Sequence, residues 1–401
     1  MSTHVPSDSP VKTIYLDNAA TTPIRDEVLS AMLSYLQEVY GNPSSIHHKG
    51  REASDALRYA RMEVARAIGA RASEIVFTSG GTESNTLALR GVLGAVNAEQ
   101  KHVLISAIEH PSILATTEAL SKEGYDVEYI PVDAYGLVHV DDVLTRTRTD
   151  TALISIMYGN NEIGTIEPIA DIARALRQKF PTNPPLFHTD ACQASDQLPL
   201  DVTTLGIDLM TLNAGKMYGP KGAGMLYVRT GVRLAPTARG GHQELGLRAG
   251  TENLAGIVGL ARALTLATEE TEAEATRLSI LRDSFITSVQ KAIPGVVLNG
   301  HPILRLPNNI HFSFPFIEGE ALVLLLDSYG ICASTGSACN ADDLLPSHVL
   351  RAIRQDDDLK HGSVRFSLGR STTEDDIAYT VSTLTACVSR LRALSPLPLH
   401  L

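Results

Sequence analysis

The sequence predicts an α/β fold: a mostly parallel central sheet with helices on both faces, joined to a smaller α+β domain. Three observations predict it. Short, near-continuous apolar runs rich in β-branched residues recur along the first 250 residues, and segments of helical period separate several of them. Strands buried on both faces read in this way, and strand-then-helix alternation builds parallel sheets. Near Gly250 the texture changes, and one long helical region replaces the alternation.

In chain order, 51–68 reads as a helix, with Ala53, Ala56, Leu57, Ala60, Val64, Ala67 and Ile68 on one stripe. Buried strands are expected at 74–78 (EIVFT), 102–106 (HVLIS), 152–157 (ALISIM), 186–189 and 209–212, with helices over 111–123 and 168–179. The segment 181–185 (PTNPP) is a rigid surface loop. A long helix follows over about 253–292, with a solvated acidic stretch at 269–274. Then come strands at 296–298 and 309–314, a helix at 319–328, a strand near Ile331, a strand at 363–367 and a helix at 373–394. This divides the chain into a large domain over 15–260 and a small domain formed by 1–14 and 261–401.

The chain has 401 residues, 44% hydrophobic and 20% charged, enough apolar content for an extensive core. Thirty-four basic against forty-five acidic residues give a net charge of −11, which argues against a general nucleic-acid-binding surface. No apolar run approaches the ~20 residues of a membrane span. The first ten residues lack the basic start and apolar stretch of a signal peptide, so a soluble, cytoplasmic protein is expected. None of the four cysteines (Cys192, Cys332, Cys339, Cys387) sits in a C-x-x-C pair, and no metal site is expected. Cys332, beside Ile331 on a strand, reads as core.

Five segments carry candidate chemistry. SGGTES (79–84) follows a strand and opens a helical segment, so Gly81, Thr82 and the helix start suit an anion; a capped Gly-rich turn is the plainer alternative. HTDACQ (188–193) places Asp190 at a strand end, where a carboxylate can hold a protonated ring nitrogen or merely cap the next segment. NAGKMYGPKG (213–222) presents Lys216 and Lys221 between glycines, each a surface lysine or a Schiff-base amine. A phosphate turn, a carboxylate and a lysine, each after a strand of one sheet, are together the parts needed to hold pyridoxal phosphate. ASTGSACNADD (333–343) sets Cys339 among small and polar residues, which suits an exposed nucleophilic thiol or an unremarkable loop thiol. In SVRFSLGR (363–370), Arg365 alternates with Val364 and Phe366, and its guanidinium suits a substrate carboxylate or an ordinary salt bridge.

These segments, in this order, closely resemble the cysteine desulfurases of the NifS/IscS type within the class V aminotransferases. The likeness runs from about Ile14 (IYLDNAATTP) to about Leu394 and includes VYGNPSSIH, FTSGGTES, EHPS, NNEIGT, HTDACQ, YGPKG, RGGHQELGLRAGTEN, EGEALVLLLD, GSAC and VRFSLGR. The resemblance implies the type I pyridoxal-phosphate fold and a homodimer with active sites near the subunit interface. It implies that Lys216, not Lys221, bonds the cofactor's aldehyde, that Asp190 pairs with the pyridinium nitrogen, and that Gln193 reaches the phenolic oxygen. His110 would stack on the ring with a part in proton transfer. Gly81, Thr82 and Asn213 match the phosphate site, and Thr251 matches a position that reaches the phosphate across the dimer. Asn161 and Arg365 match the holders of the substrate α-carboxylate, and Cys339 matches the nucleophile that receives sulfur from L-cysteine and leaves L-alanine.

The resemblance also implies a sulfur-acceptor protein, with iron–sulfur assembly, tRNA thiolation and DNA sulfur modification as outlets. Selenocysteine lysis, another class V reaction, or a catalytically silent regulatory relative are the alternatives. One departure stands out. Relatives carry Ser-Gly-His before the Schiff-base lysine, where this chain has Asn213, Ala214 and Gly215. Weaker cofactor retention is the expected consequence, with the Asn213 amide and the Gly215 N–H as substitute donors. The chain also ends soon after its last helix, whereas some relatives carry a longer tail that engages an iron–sulfur scaffold.

Overall fold

The computed structural model describes residues 12–96, 100–335, 347–353, 359 and 361–394. Cys339 lies outside the described residues, as do 1–11 and 395–401.

After β1 (Ile14–Tyr15), helices α1 (Asp26–Gln37) and α2 (His48–Ala67) lead to β2 (Ile75–Thr78) and α3 (Gly81–Ala95). There follow β3 (His102–Ser106), α4 (Pro111–Lys122), β4 (Asp126–Ile130), α5 (Val140–Arg146), β5 (Thr151–Ser155), α6 (Ile169–Lys179), β6 (Leu186–Asp190), α7 (Val202–Leu205), β7 (Leu209–Asn213) and β8 (Gly224–Val228). Strands β2 to β8 form one seven-stranded sheet in the order β2-β8-β7-β6-β5-β3-β4. All its neighbours are parallel except β8, which runs antiparallel to β2 and β7. The predicted mostly parallel sheet is present, and β2 and β7 therefore end on the same edge as the parallel strands.

Two strands of this sheet were not predicted, and neither was the short β1. β4 is an edge strand whose Asp126 is exposed and whose Glu128 is half-buried, so it carries no continuous apolar run. β8 returns antiparallel after the segment 214–223, without the α-helical crossover that marks the other strands. Its first residue also sets a close approach: a Cβ on Gly224 would lie 2.5 Å from Gly80 Cα, so only glycine lets the turn after β2 pack here.

The long α8 (Leu254–Ala292) serves two cores. Up to Ala267 it packs with Val28, Met32 and the central sheet, and from Leu278 onward its Phe285 packs with Phe312 and Phe366. The second core gathers β9 (Val297–Leu298), β10 (Asn309–Ser313) and β12 (Ser363–Ser367) as an antiparallel sheet, with α9 (Gly319–Asp327) and α11 (Glu374–Leu394) against it. Between them in sequence are β11 (Ile331–Cys332) and α10 (His348–Ala352). β11 pairs parallel with β1, so Ile14 and Leu16 join this second core across more than 300 residues. Cys332 is half-buried there, not the core thiol that the sequence suggested, because its short strand has a partner on one side only.

Candidate active site

Turns at one edge of the central sheet bring the candidate residues together. A cavity of about 490 Å³ is lined by Gly81, Thr82, His110, Asn161, Asp190, Gln193, Asn213, Lys216 and Arg365. The first eight of these positions in chain order follow or end β2, β3, β5, β6 and β7, the carboxyl edge where open α/β sheets bind ligands. Arg365 enters from β12, so the two cores share the cavity. Thr251 is exposed and is not among the residues that line the cavity of its own chain.

At one end, α3 begins at Gly81, and the backbone N–H groups of Gly81, Thr82 and Glu83 have no helical carbonyl to meet, Ser84 N–H being the first to find one, on Gly80 O at 3.1 Å. A side chain on Gly81 would come within 2.9 Å of Cys192 Sγ, so the bare glycine keeps this end open. The Asn213 side chain adjoins the same end, its Cβ 3.8 Å from where a Gly81 side chain would begin. Its Oδ1 accepts the Gly215 N–H at 3.1 Å, which occupies one of the two substitute donors expected from the sequence and leaves the Asn213 amide nitrogen as the other.

Asp190 is 6% exposed, and its carboxylate is held on both oxygens: Cys192 N–H donates to Oδ1 at 2.9 Å and Asn85 Nδ2 to Oδ2 at 2.6 Å. Lys216 Nζ donates to the carbonyls of Ala19 at 2.8 Å and Ala20 at 2.5 Å, which sets the amine at the cavity wall. Lys221 instead donates to Thr22 O at 2.7 Å and does not line this cavity, so geometry separates two lysines that spacing could not. Gln193 Nε2 donates to Ala19 O at 2.9 Å.

His110 caps α4 through its ring, with Nδ1 accepting the Ser112 N–H at 3.1 Å. Burial lowers its pKa, opposed by Asp190 and assisted by Lys216. Arg365 is 4% exposed; its terminal nitrogens donate to Asn161 O and to Asp17 Oδ1, each at 2.8 Å. The salt-bridge reading of Arg365 is thus present in the structure alongside its place in the cavity wall. Its buried Nε–H has no partner among the described residues.

Several lining residues escaped the sequence reading. Asn85 lies three residues after Thr82, hence on the same helix face, and that spacing was the available signal. Glu162 accepts from the Ser347 hydroxyl, while Ser347 also caps α10 and His348 Nε2 meets the Glu109 carbonyl at 2.9 Å. Burial pushes Glu162 up to about 7, with Ser347 and Arg365 acting in the opposite direction. Ser334 at the other side of the undescribed segment 336–346 is bridged to Arg365, so both described flanks of that segment are fastened at the cavity.

The model of the class V aminotransferases matches residues 14–379. The chain is 50% identical over 383 residues to a cysteine desulfurase IscS of Dictyoglomus turgidum, covering 96% of each chain. It is 48% identical over 386 residues to a cysteine desulfurase IscS of Methanosarcina thermophila, covering 96% of this chain and 94% of that one. Among solved structures, a NifS-like protein superposes with a TM-score of 0.89 at 37% identity, over 95% of this chain and all of the other.

Proposed function

Because the chain belongs to the class V aminotransferase family and is a pyridoxal-phosphate-dependent cysteine desulfurase acting on L-cysteine, we propose that the cavity between its two cores is the catalytic site. The observation that carries this reading is the convergence of Lys216, Asp190 and Arg365 on one cavity of about 490 Å³.

The donor set fits the cofactor. The α3 amino end with Gly81, Thr82 and Asn213 suits a phosphate, Asp190 suits a pyridinium N–H, Gln193 suits a phenolic oxygen and the Lys216 amine suits an aldehyde. When bound, pyridoxal phosphate withdraws electron density from the substrate's α-carbon. Asn161 and Arg365 orient the α-carboxylate, and the buried Arg365 Nε–H supports this assignment. Lys216 Nζ takes the α-proton once its amine is neutral, and His110 borders the same space. Cys339 receives the sulfur: its thiolate forms the S–S bond as the substrate C–S bond breaks, leaving a persulfide and L-alanine. Fastening of Ser334 and Ser347 at the cavity supports this role for the segment between them.

A homodimer goes with this reading. Leu29, Leu33 and Leu36 form an exposed apolar stripe on α1, Tyr59 and Met62 are exposed on α2, and the exposure of Thr251 supports its use by a partner's site. A division into two domains is supported by the two cores, but the passage between them lies inside α8 between Ala267 and Leu278, later than the expected boundary at 260. Among the described residues no helix is long and apolar enough to cross a membrane, and a cytoplasmic location with persulfide delivery to an acceptor protein, in iron–sulfur assembly or thiolation, completes the proposal. The test is incubation of the purified protein with L-cysteine: alanine and sulfide should form in wild type and fail in Lys216→Ala.

A further inference from the structure

Asn85, 1% exposed on α3, serves two partners with one amide nitrogen. Nδ2 donates to Asp190 Oδ2 at 2.6 Å and to Ser112 Oγ at 2.9 Å. Rotating the amide by half a turn would set its oxygen against a carboxylate, so Asp190 fixes its orientation. The Ser112 oxygen therefore accepts from Asn85, and its own proton is directed to His110 Nδ1, 2.8 Å away. The Ser112 backbone N–H donates to the same ring nitrogen at 3.1 Å. A ring nitrogen that accepts two donors carries no proton, so the neutral imidazole holds its proton at Nε2.

We propose that Asn85 is a positioning residue that holds the Asp190 carboxylate and, through the Ser112 hydroxyl, sets the tautomer of His110 so that Nε2–H is offered to the cavity. His110 then begins as a hydrogen-bond donor at Nε2, and removal of the α-proton is left to Lys216. The functional consequence rests on the cavity being the pyridoxal-phosphate site, whereas the tautomer is a property of the chain alone. The charged and titratable groups around His110 are Asp190 from β6, Lys216 after β7, His348 on α10 and the adjoining Glu109.

The test pairs nitrogen-15 NMR of histidine-labelled protein, with His110→Gln identifying the resonance, with the dissociation constant for pyridoxal phosphate. In wild type the His110 shifts should report Nε2–H at neutral pH, with and without cofactor. Asn85→Ala should weaken cofactor binding about tenfold or more, because a hydrogen bond to a charged group is lost. It should also raise the His110 pKa by about half a unit to one unit, since a donor to the neutral form is released. Ser112→Ala should raise the His110 pKa similarly while leaving cofactor affinity within about twofold, and the double variant should titrate like Asn85→Ala. Asn85→Asp, nearly isosteric, guards against a folding defect in the alanine variant and should weaken cofactor binding as well. A His110 proton found on Nδ1, or Asn85 variants that bind cofactor like wild type, would overturn the proposal. If wild type itself binds no pyridoxal phosphate, the reading of the cavity fails, and the shifts of the cofactor-free chain still decide the tautomer.

Discussion

Arg365 and Asp17 form an ion pair at 2.8 Å, in which the N-terminal segment anchors a guanidinium from β12. The other terminal nitrogen is fixed on Asn161 O, so a planar fork is held in place before any substrate arrives. Lysine cannot reproduce two fixed donors. Arg365→Lys should raise KM for L-cysteine about tenfold to a hundredfold, the worth of one or two charge-assisted hydrogen bonds. Steady-state kinetics check this, and an unchanged KM would separate Arg365 from the carboxylate.

The two lysines of the 213–222 turn differ in where their amines go. Lys216 meets Ala19 and Ala20 carbonyls at the cavity, while Lys221 meets Thr22 outside it. Borohydride reduction followed by peptide mapping should find the pyridoxyl group on Lys216. Lys216→Ala should abolish the attachment and Lys221→Ala should retain it.

Gly215 has room for a side chain. An added Cβ would meet nothing nearer than Asn213 Oδ1 at 3.6 Å, an ordinary contact. Gly215→His should therefore fold and tighten pyridoxal-phosphate binding several-fold, about 1 kcal/mol for one added hydrogen bond. Equilibrium dialysis measures it; unchanged or weaker binding would mean that the Asn213 amide already meets the phosphate's needs.

Buried acids and histidines give the fold a stability plateau. Burial lifts Glu109 to about 8 and Glu162 to about 7, so the folded chain keeps protons that the unfolded chain releases near 4.5. That contribution is full below about pH 4.5 and is lost as pH rises through about 7 and 8. Burial lowers His188 to about 4 and His311 to about 3, against 6.5 when unfolded. Their contribution is full above about pH 6.5 and is lost as pH falls through about 4 and 3. Calorimetry should find Tm highest between about pH 4.5 and 6.5, with a shallower alkaline fall in Glu109→Gln. An alkaline limb unchanged by that variant would remove Glu109 from the account.

Most of the sheet was legible because strands such as 102–106 bury both faces and announce themselves as apolar runs. β4 was not, since exposed Asp126 and partly buried Glu128 interrupt the run at a sheet edge. The residues of the cavity that lie in contiguous motifs, among them Asp190 and Lys216, were visible as chemistry following strands. Asn85, Ser112, Glu162 and Ser347 act through contacts such as the bond joining Asn85 to Asp190, 105 residues apart, and a linear reading holds no trace of such pairings. Choosing Lys216 over Lys221 likewise needed either the resemblance or the fold.

The most direct measurement follows the sulfur of L-cysteine by mass spectrometry of the enzyme after a single turnover. The account predicts a persulfide on Cys339, formed together with L-alanine, absent in Lys216→Ala, and lost in Cys339→Ser while the cofactor stays bound. Alanine production by Cys339→Ser at the wild-type rate, or sulfur found on Cys192, Cys332 or Cys387 instead, would contradict it.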